Sequence, residues 1–168
     1  MAKDDDVRGL RAGAHPVRLR ILSLLTGTAM SAAEIARELH LTHANASYHL
    51  RVLARAGEVV EAGEEKVRGG VAKRYRHPWA EQDRGPRDLG LHVRAMGQEL
   101  VRRYDERDTS PGRAYYCDAE LWVDDETWAR ALALVEEAGR LVHDGARPPR
   151  AEGTRRANLS IAAFGMQP

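Results

Sequence analysis

Residues 31–57 read SAAEIARELHLTHANASYHLRVLARAG, a pattern of two helices joined by a tight turn. Ser31 stands three positions before Glu34, the spacing at which a hydroxyl and a carboxylate cap a helix start reciprocally. The first helix is expected over residues 32–39, with Ile35, Ala36 and Leu39 on one face. His40, Leu41 and Thr42 form the break. Leu41 is apolar within a polar turn, so it is placed to plug the angle between the helices. Thr42 can cap the second helix, which runs to about Ala56. Gly57 supplies the left-handed residue that ends it.

Helical spacing divides the second helix into two faces. Ala46, Leu50, Leu53 and Gly57 fall on one side at i, i+4, i+7 and i+11. Asn45, Tyr48, Arg51 and Arg55 fall on or towards the other, with Ser47 at its edge. The outer face therefore carries short hydrogen-bonding groups near its N-terminus and cations further along. That order suits a helix entering the major groove of duplex DNA. An amphipathic surface helix without a nucleic-acid role would share the same periodicity.

Leu41, Thr42, His43, Ser47, His49, Leu50, Leu53, Ala56 and Gly57 occupy the places of a known recognition-helix pattern. The segment resembles the winged helix-turn-helix repressors of the ArsR type, in the branch without obvious metal ligands. His43 stands where that family commonly has glutamine. The upstream run AHPVRLRIL, residues 14–22, is similar to the family's first helix. The resemblance covers residues 12–80. It implies a DNA-binding domain over residues 14–80, with the recognition helix at 43–56 and a wing at 59–77. Thr42, His43, Asn45, Ser47 and Tyr48 are then candidates for base edges. His49, Arg51 and Arg55 are candidates for phosphate, as are Arg68 and Lys73 on the wing. Such proteins bind inverted-repeat operators as homodimers, and a cytoplasmic repressor is the implied role.

Working outward, residues 1–13 read as a charged, flexible tail. A first helix begins near His15 and Pro16, where proline is tolerated because that N–H has no helical partner. Val17, Ile21, Leu24 and Leu25 make its expected buried stripe, and Arg18 and Arg20 are expected to face outward. After Gly57 the pattern becomes extended. Residues 59–62 and 71–77 read as two strands, with a polar, glycine-bearing tip over residues 63–70. Tyr75 is expected to anchor the return strand in the core.

Residues 78–86, PWAEQDRGP, read as a linker. A long helix follows over about residues 87–108. Leu89, Val93, Met96, Leu100 and Tyr104 recur at alternating gaps of four and three, the seam of a helix pair. A second copy of the chain is the expected partner for that seam, with packing on the chain's own C-terminal half as the alternative. Residues 114–123 alternate like a strand, with Tyr115, Cys117, Ala119, Leu121 and Val123 on one face. A helix capped by Asp124 or Asp125 then runs to about His143, and residues 155–164 read as a last strand. The expected fold is thus α+β. A winged helix-turn-helix domain precedes a dimerisation helix and a small strand–helix–strand unit over residues 87–168.

Composition limits the alternatives. The 168-residue chain has a net charge of only +1, but the charge is unevenly placed. Residues 1–80 hold 13 Lys and Arg against 9 Asp and Glu, whereas residues 81–168 hold 13 against 16. The cationic excess lies in the half with the helix pair, as phosphate contact requires. One cysteine excludes an intramolecular disulfide, and Cys117 is expected to be buried and structural. No apolar run is long enough for a membrane span, and no signal peptide is expected. No phosphate loop, nucleophile elbow or HExxH motif is present, so an enzyme is not expected. No metal site or cofactor is expected: His40, His43 and His49 are not spaced as ligands, and an Asp124/His143 pair is the one arrangement left. Tyr115, Tyr116, Trp122 and Trp128 could line a cavity for a small-molecule effector, or simply form core. A winged module that docks proteins and a metal-responsive repressor are the competing readings.

Overall fold

The computed structural model describes residues 15–68, 70–79, 90–110 and 114–167. The expected tail, most of the linker, Leu89 and the turn at residues 111–113 lie outside these. The elements are α1 (Pro16–Gly27), β1 (Met30–Ser31), α2 (Ala32–Leu39), α3 (His43–Arg55), β2 (Val60–Val67), β3 (Gly70–Arg76), α4 (Gly90–Asp105) and α5 (Asp125–Asp144).

The core joins α1, α2 and α3. Ile21, Leu25, Ile35, Leu50 and Leu53 are its largest fully buried side chains, and Val17, Leu24, Leu41 and Tyr75 pack around them. Leu22 is buried as well, which widens the expected stripe of α1. Arg18 and Arg20 are half-buried rather than fully outward.

Local chemistry sets the helix ends. At α2 the reciprocal cap is complete: the Ser31 backbone N–H donates to Glu34 Oε2 at 2.7 Å, and the Glu34 N–H donates back to Ser31 Oγ at 3.4 Å. His40 adopts a left-handed conformation (φ 54°), which lets the Leu41 N–H reach back to Ala36 O at 2.8 Å. The chain then turns, and Thr42 Oγ1 accepts from Asn45 N–H at 3.2 Å to start α3. Gly57 has φ +73° at the end of α3, a region where a side chain is strained.

A three-stranded antiparallel sheet, ordered β1-β3-β2, closes this part of the chain. The sequence pattern did not reveal β1, because two residues are too few to show alternation. Met30 pairs with Tyr75 and Ser31 with Arg74. The hairpin is longer than expected. β2 continues to Val67, so only residues 68–69 connect it to β3. Gly63, expected in the tip, instead lies within β2 at φ +121°, where the register shifts between Glu61 and Glu64. Absorbing the extra length as a bulge lets the ladder resume. Both faces of this ribbon are largely exposed, so apolar alternation could not mark its length.

The second half differs more from expectation. α4 packs against α1, and its Ala95 and Glu99 are both buried. Glu99 accepts from the Arg102 guanidinium at 2.8 Å, which partners a carboxylate only 3 % exposed. The apolar residues expected to form the seam face away: Val93, Leu100 and Tyr104 are exposed, and Met96 is half-buried. α5 is capped by Asp124, whose Oδ1 accepts from Thr127 N–H at 2.7 Å. Its inner side (Trp128, Leu132, Val135 and Ala138) is half-buried, and none of its residues is fully buried.

Contacts tie this half to the back of the helical core. The Trp79 and His143 rings stack at 3.5 Å with planes 7° apart. A Cβ added at Gly27 would lie 2.6 Å from the Arg147 carbonyl oxygen, so only glycine permits this approach. Arg150 pairs with Glu38 on α2 at 2.8 Å.

Residues 114–123 and 155–164 form no strand within the chain. The expected strand–helix–strand unit is therefore represented by its helix alone. Cys117 is exposed, not buried. Tyr115, Tyr116 and Trp122 are exposed too, so they enclose no cavity with Trp128 in one copy.

Candidate nucleic-acid interface

The core holds α3 by one side only. Ala46, His49, Leu50 and Leu53 are buried, while Thr42, His43, Asn45, Tyr48, Arg51 and Arg55 are exposed and Ser47 is intermediate. The exposed residues share one face. Tyr48 is 54 % exposed despite its aromatic ring. Arg51 Nε donates to Ser47 O at 3.3 Å, which lays its stem along the helix and directs the guanidinium outward. The order along this face is cap hydroxyl, imidazole, amide, phenol and then two guanidinium groups. Groups able to read base edges come first and groups that pair with phosphate come last.

Sequence reasoning missed two residues here. Ala44 is exposed beside Asn45 and in helical line with Tyr48, Arg51 and Arg55. Its methyl could meet a thymine methyl. The same helical spacing would have found it, but an alanine attracts no notice as a contact. Arg37 is exposed in the last turn of α2, beside the turn into α3. The first helix of such a pair crosses the DNA backbone, where a guanidinium is useful.

His49 does not fit the role expected of it. It is 6 % exposed and turned inward, with ring centroids 5.1 Å from His15 and 5.3 Å from Tyr48. The apolar side of α3 captures it because position 49 precedes Leu50 and follows Ala46 by three. Burial lowers its pKa below the ordinary value, and the neighbouring His15 and Arg18 lower it further. His15 is likewise lowered by burial and then by Arg18. A neutral, buried imidazole is a poor phosphate ligand, so His49 leaves the contact set. It instead supports Tyr48 from beneath.

The wing separates its cations by role. Arg68 is exposed at the tip. Lys73, expected to be free for phosphate, pairs with Glu61 at 2.8 Å across the ladder. That pair is solvent-exposed and weak, so DNA could compete for the ammonium. Arg74 is committed to structure. Its guanidinium bonds to the Ala29 carbonyl, to Glu34 at 3.2 Å and to Glu65. It therefore clasps the wing to the start of α2. Burial alone would raise the Glu34 carboxyl, but the Ser31 hydrogen bonds and the charge of Arg74 bring it below its ordinary value.

Among the described residues no group of three or more His, Cys, Asp or Glu could hold a metal ion. Asp124 and His143 sit at opposite ends of α5, so they do not form the pair considered above. No helix among the described residues is long and apolar enough to cross a membrane.

A family model described as a helix-turn-helix domain matches residues 14–60. The match spans α1 through α3 and supports a helix-turn-helix DNA-binding regulator. No curated protein matches the chain.

Proposed function

We propose that the chain is a sequence-specific transcription regulator of the ArsR type, a homodimeric repressor acting on inverted-repeat DNA. Each α3 enters a major groove, with Thr42, His43, Asn45, Ser47 and Tyr48 towards base edges and Arg51 and Arg55 towards phosphate. Arg68, with Lys73 behind it, reaches the adjacent backbone or minor groove from the wing. Residues 14–80 carry this contact and residues 87–168 carry dimerisation. The observation that carries the reading is the one-sided burial of α3. A helix rooted by Ala46, Leu50 and Leu53 leaves Asn45, Tyr48, Arg51 and Arg55 exposed together. Dimerisation is supported by the exposed seam of Val93, Leu100 and Tyr104 on α4. An effector belongs to this reading as a molecule that favours one separation of the two α3 helices over another.

Titration of the chain onto duplex DNA across a range of salt tests the reading. Affinity should fall steeply as salt rises, because each phosphate contact releases condensed counterions. Affinity that is flat with salt would favour a protein-docking role for the winged surface instead.

A further inference from the structure

Residues 114–123 and 155–164 are ten residues each, carry strand-like alternation, and form no ladder with any described part of their own chain. A side-chain contact within the second points to an extended backbone: Ser160 Oγ donates to Asn158 Oδ1 at 3.1 Å. Residues two apart share a side in an extended chain and lie on opposite sides of a helix. The exposed apolar surface is large: Tyr115 is 90 % exposed and Trp122 is 92 %, and Leu121, Leu159 and Phe164 are also exposed. Each aromatic side chain carries roughly 150–250 Å² of surface that is usually buried. Exposed apolar surface on this scale marks an interaction site where it gathers into a patch.

We propose that a second copy of the chain covers these segments, with residues 114–123 of each copy pairing antiparallel with residues 155–164 of the other. The proposal rests on the homodimer reading and goes beyond the α4 seam. Charge selects both the occupant and the direction. The first segment and the start of α5 hold Asp118, Glu120, Asp124 and Asp125 without a cation, whereas the second segment opens with Arg155 and Arg156. Antiparallel pairing sets the acidic end of one beside the basic end of the other, where opposite charges stabilise cross-strand neighbours. Parallel pairing would set those acids beside residues 159–166, which carry no cation. Arg156 pairs with Glu106 of its own chain at 3.0 Å, an exposed and weak contact that an acid of the other copy can replace. With the segment centres aligned, Cys117 faces Ile161 of the other copy; Tyr115, Leu121 and Leu159 lie on that face of the paired strands, and Trp122 and Phe164 on the other.

Cys117 is the chain's one cysteine and serves as a built-in probe. Wild-type chain is mixed with a Cys117→Ser chain that carries Ile161→Cys, Leu159→Cys or Ala163→Cys, and the mixture is oxidised. Directly opposite residues of antiparallel strands have Cα atoms about 4.5–5.5 Å apart, within disulfide reach. The expected result is a disulfide-linked product of doubled mass joining position 117 to one of these three, identified by peptide mass spectrometry. It should exceed the product formed with Glu64→Cys on the wing. The three positions allow for a register slip of two and for one variant that fails to fold. A dimeric mass by light scattering with no cross-link above the wing control overturns the strand exchange and leaves the homodimer reading standing. So does a chain carrying both Cys117 and Ile161→Cys that closes its disulfide internally. A monomeric mass at working concentration overturns both.

Discussion

The imidazole of His49 lies against that of His15, with ring centroids 5.1 Å apart and planes tilted by 43°. The pair joins the start of α1 to the buried side of the proposed recognition helix, directly beneath Tyr48. His15 Nδ1 also accepts from Val17 N–H at 3.2 Å, so it caps α1 in its neutral form.

Acid should therefore loosen this end of the helix-turn-helix. Both histidines have folded pKa values below their ordinary value near 6.5, mainly through burial, with the neighbouring Arg18 also lowering both. The unfolded chain thus takes up protons first as pH falls. Stability is complete above about 6.5 and is lost progressively as pH drops towards the folded values. Protonation at His15 Nδ1 also removes the acceptor for Val17 N–H. Thermal melts between pH 8 and pH 5 should show a falling midpoint. His49→Phe should flatten that fall, since it keeps a ring in the site without a titrating group. A variant with an unchanged pH profile would remove His49 from this account.

The start of α2 is a junction as well as a cap. Ser31→Ala removes the hydroxyl that receives Glu34 N–H, and should cost about 1 kcal/mol, within the 0.5–2 kcal/mol range of such caps. Arg74→Ala should also destabilise, because the guanidinium joins the Ala29 carbonyl, Glu34 and Glu65. The two substitutions share Glu34, so their effects in urea denaturation should not add. Strict additivity would mean that Arg74 acts independently of the cap.

Contacts with DNA should separate cleanly from stability on α3. Tyr48→Ala should lower affinity for a preferred site by roughly 1–3 kcal/mol if the ring reads a base. Its effect on the unfolding midpoint should be small, since the side chain is more than half exposed. Arg68→Ala should weaken all duplexes similarly and reduce the salt slope by about one contact. Equal affinity loss and equal salt slopes in the two variants would contradict the assignment of base and phosphate roles.

Exposure along α4 should report on self-association. Leu100→Asp places a charge on the outward face between Val93 and Tyr104, opposite the side that packs on α1. The monomeric fold should survive, with the light-scattering mass falling to one copy and DNA affinity falling with it. A dimeric mass in this variant would move the interface away from the α4 seam.

How much of this was legible in the residues depended on which interactions decide each element. The helix pair was readable because its determinants are local: the Ser31/Glu34 cap, the Thr42 cap and the four-and-three spacing of Ile35, Leu39, Leu50 and Leu53. The same spacing found the exposed face of α3 but misplaced His49, since an imidazole at the boundary can be taken up by either side. β1 and the full length of β2 were hidden because their pairing is set across the sheet, by Tyr75 and Arg74 for β1 and by residues 70–73 for the far end of β2, not by their own patterns. The segments at 114–123 and 155–164 show the reverse. Their alternation is clear in the sequence, yet no described part of their own chain pairs with them. Cys117 was expected inside for that reason and stands exposed.

Selection of bound duplexes from a random pool puts sequence-specific binding by a twofold dimer to the test. An inverted repeat whose half-site centres lie about 10–10.5 base pairs apart, or a multiple of that, should be enriched. A chain carrying Asn45→Ala and Tyr48→Ala should lose the enrichment while keeping its fold. A pool that stays random, or one enriched equally by the double variant, would contradict such binding.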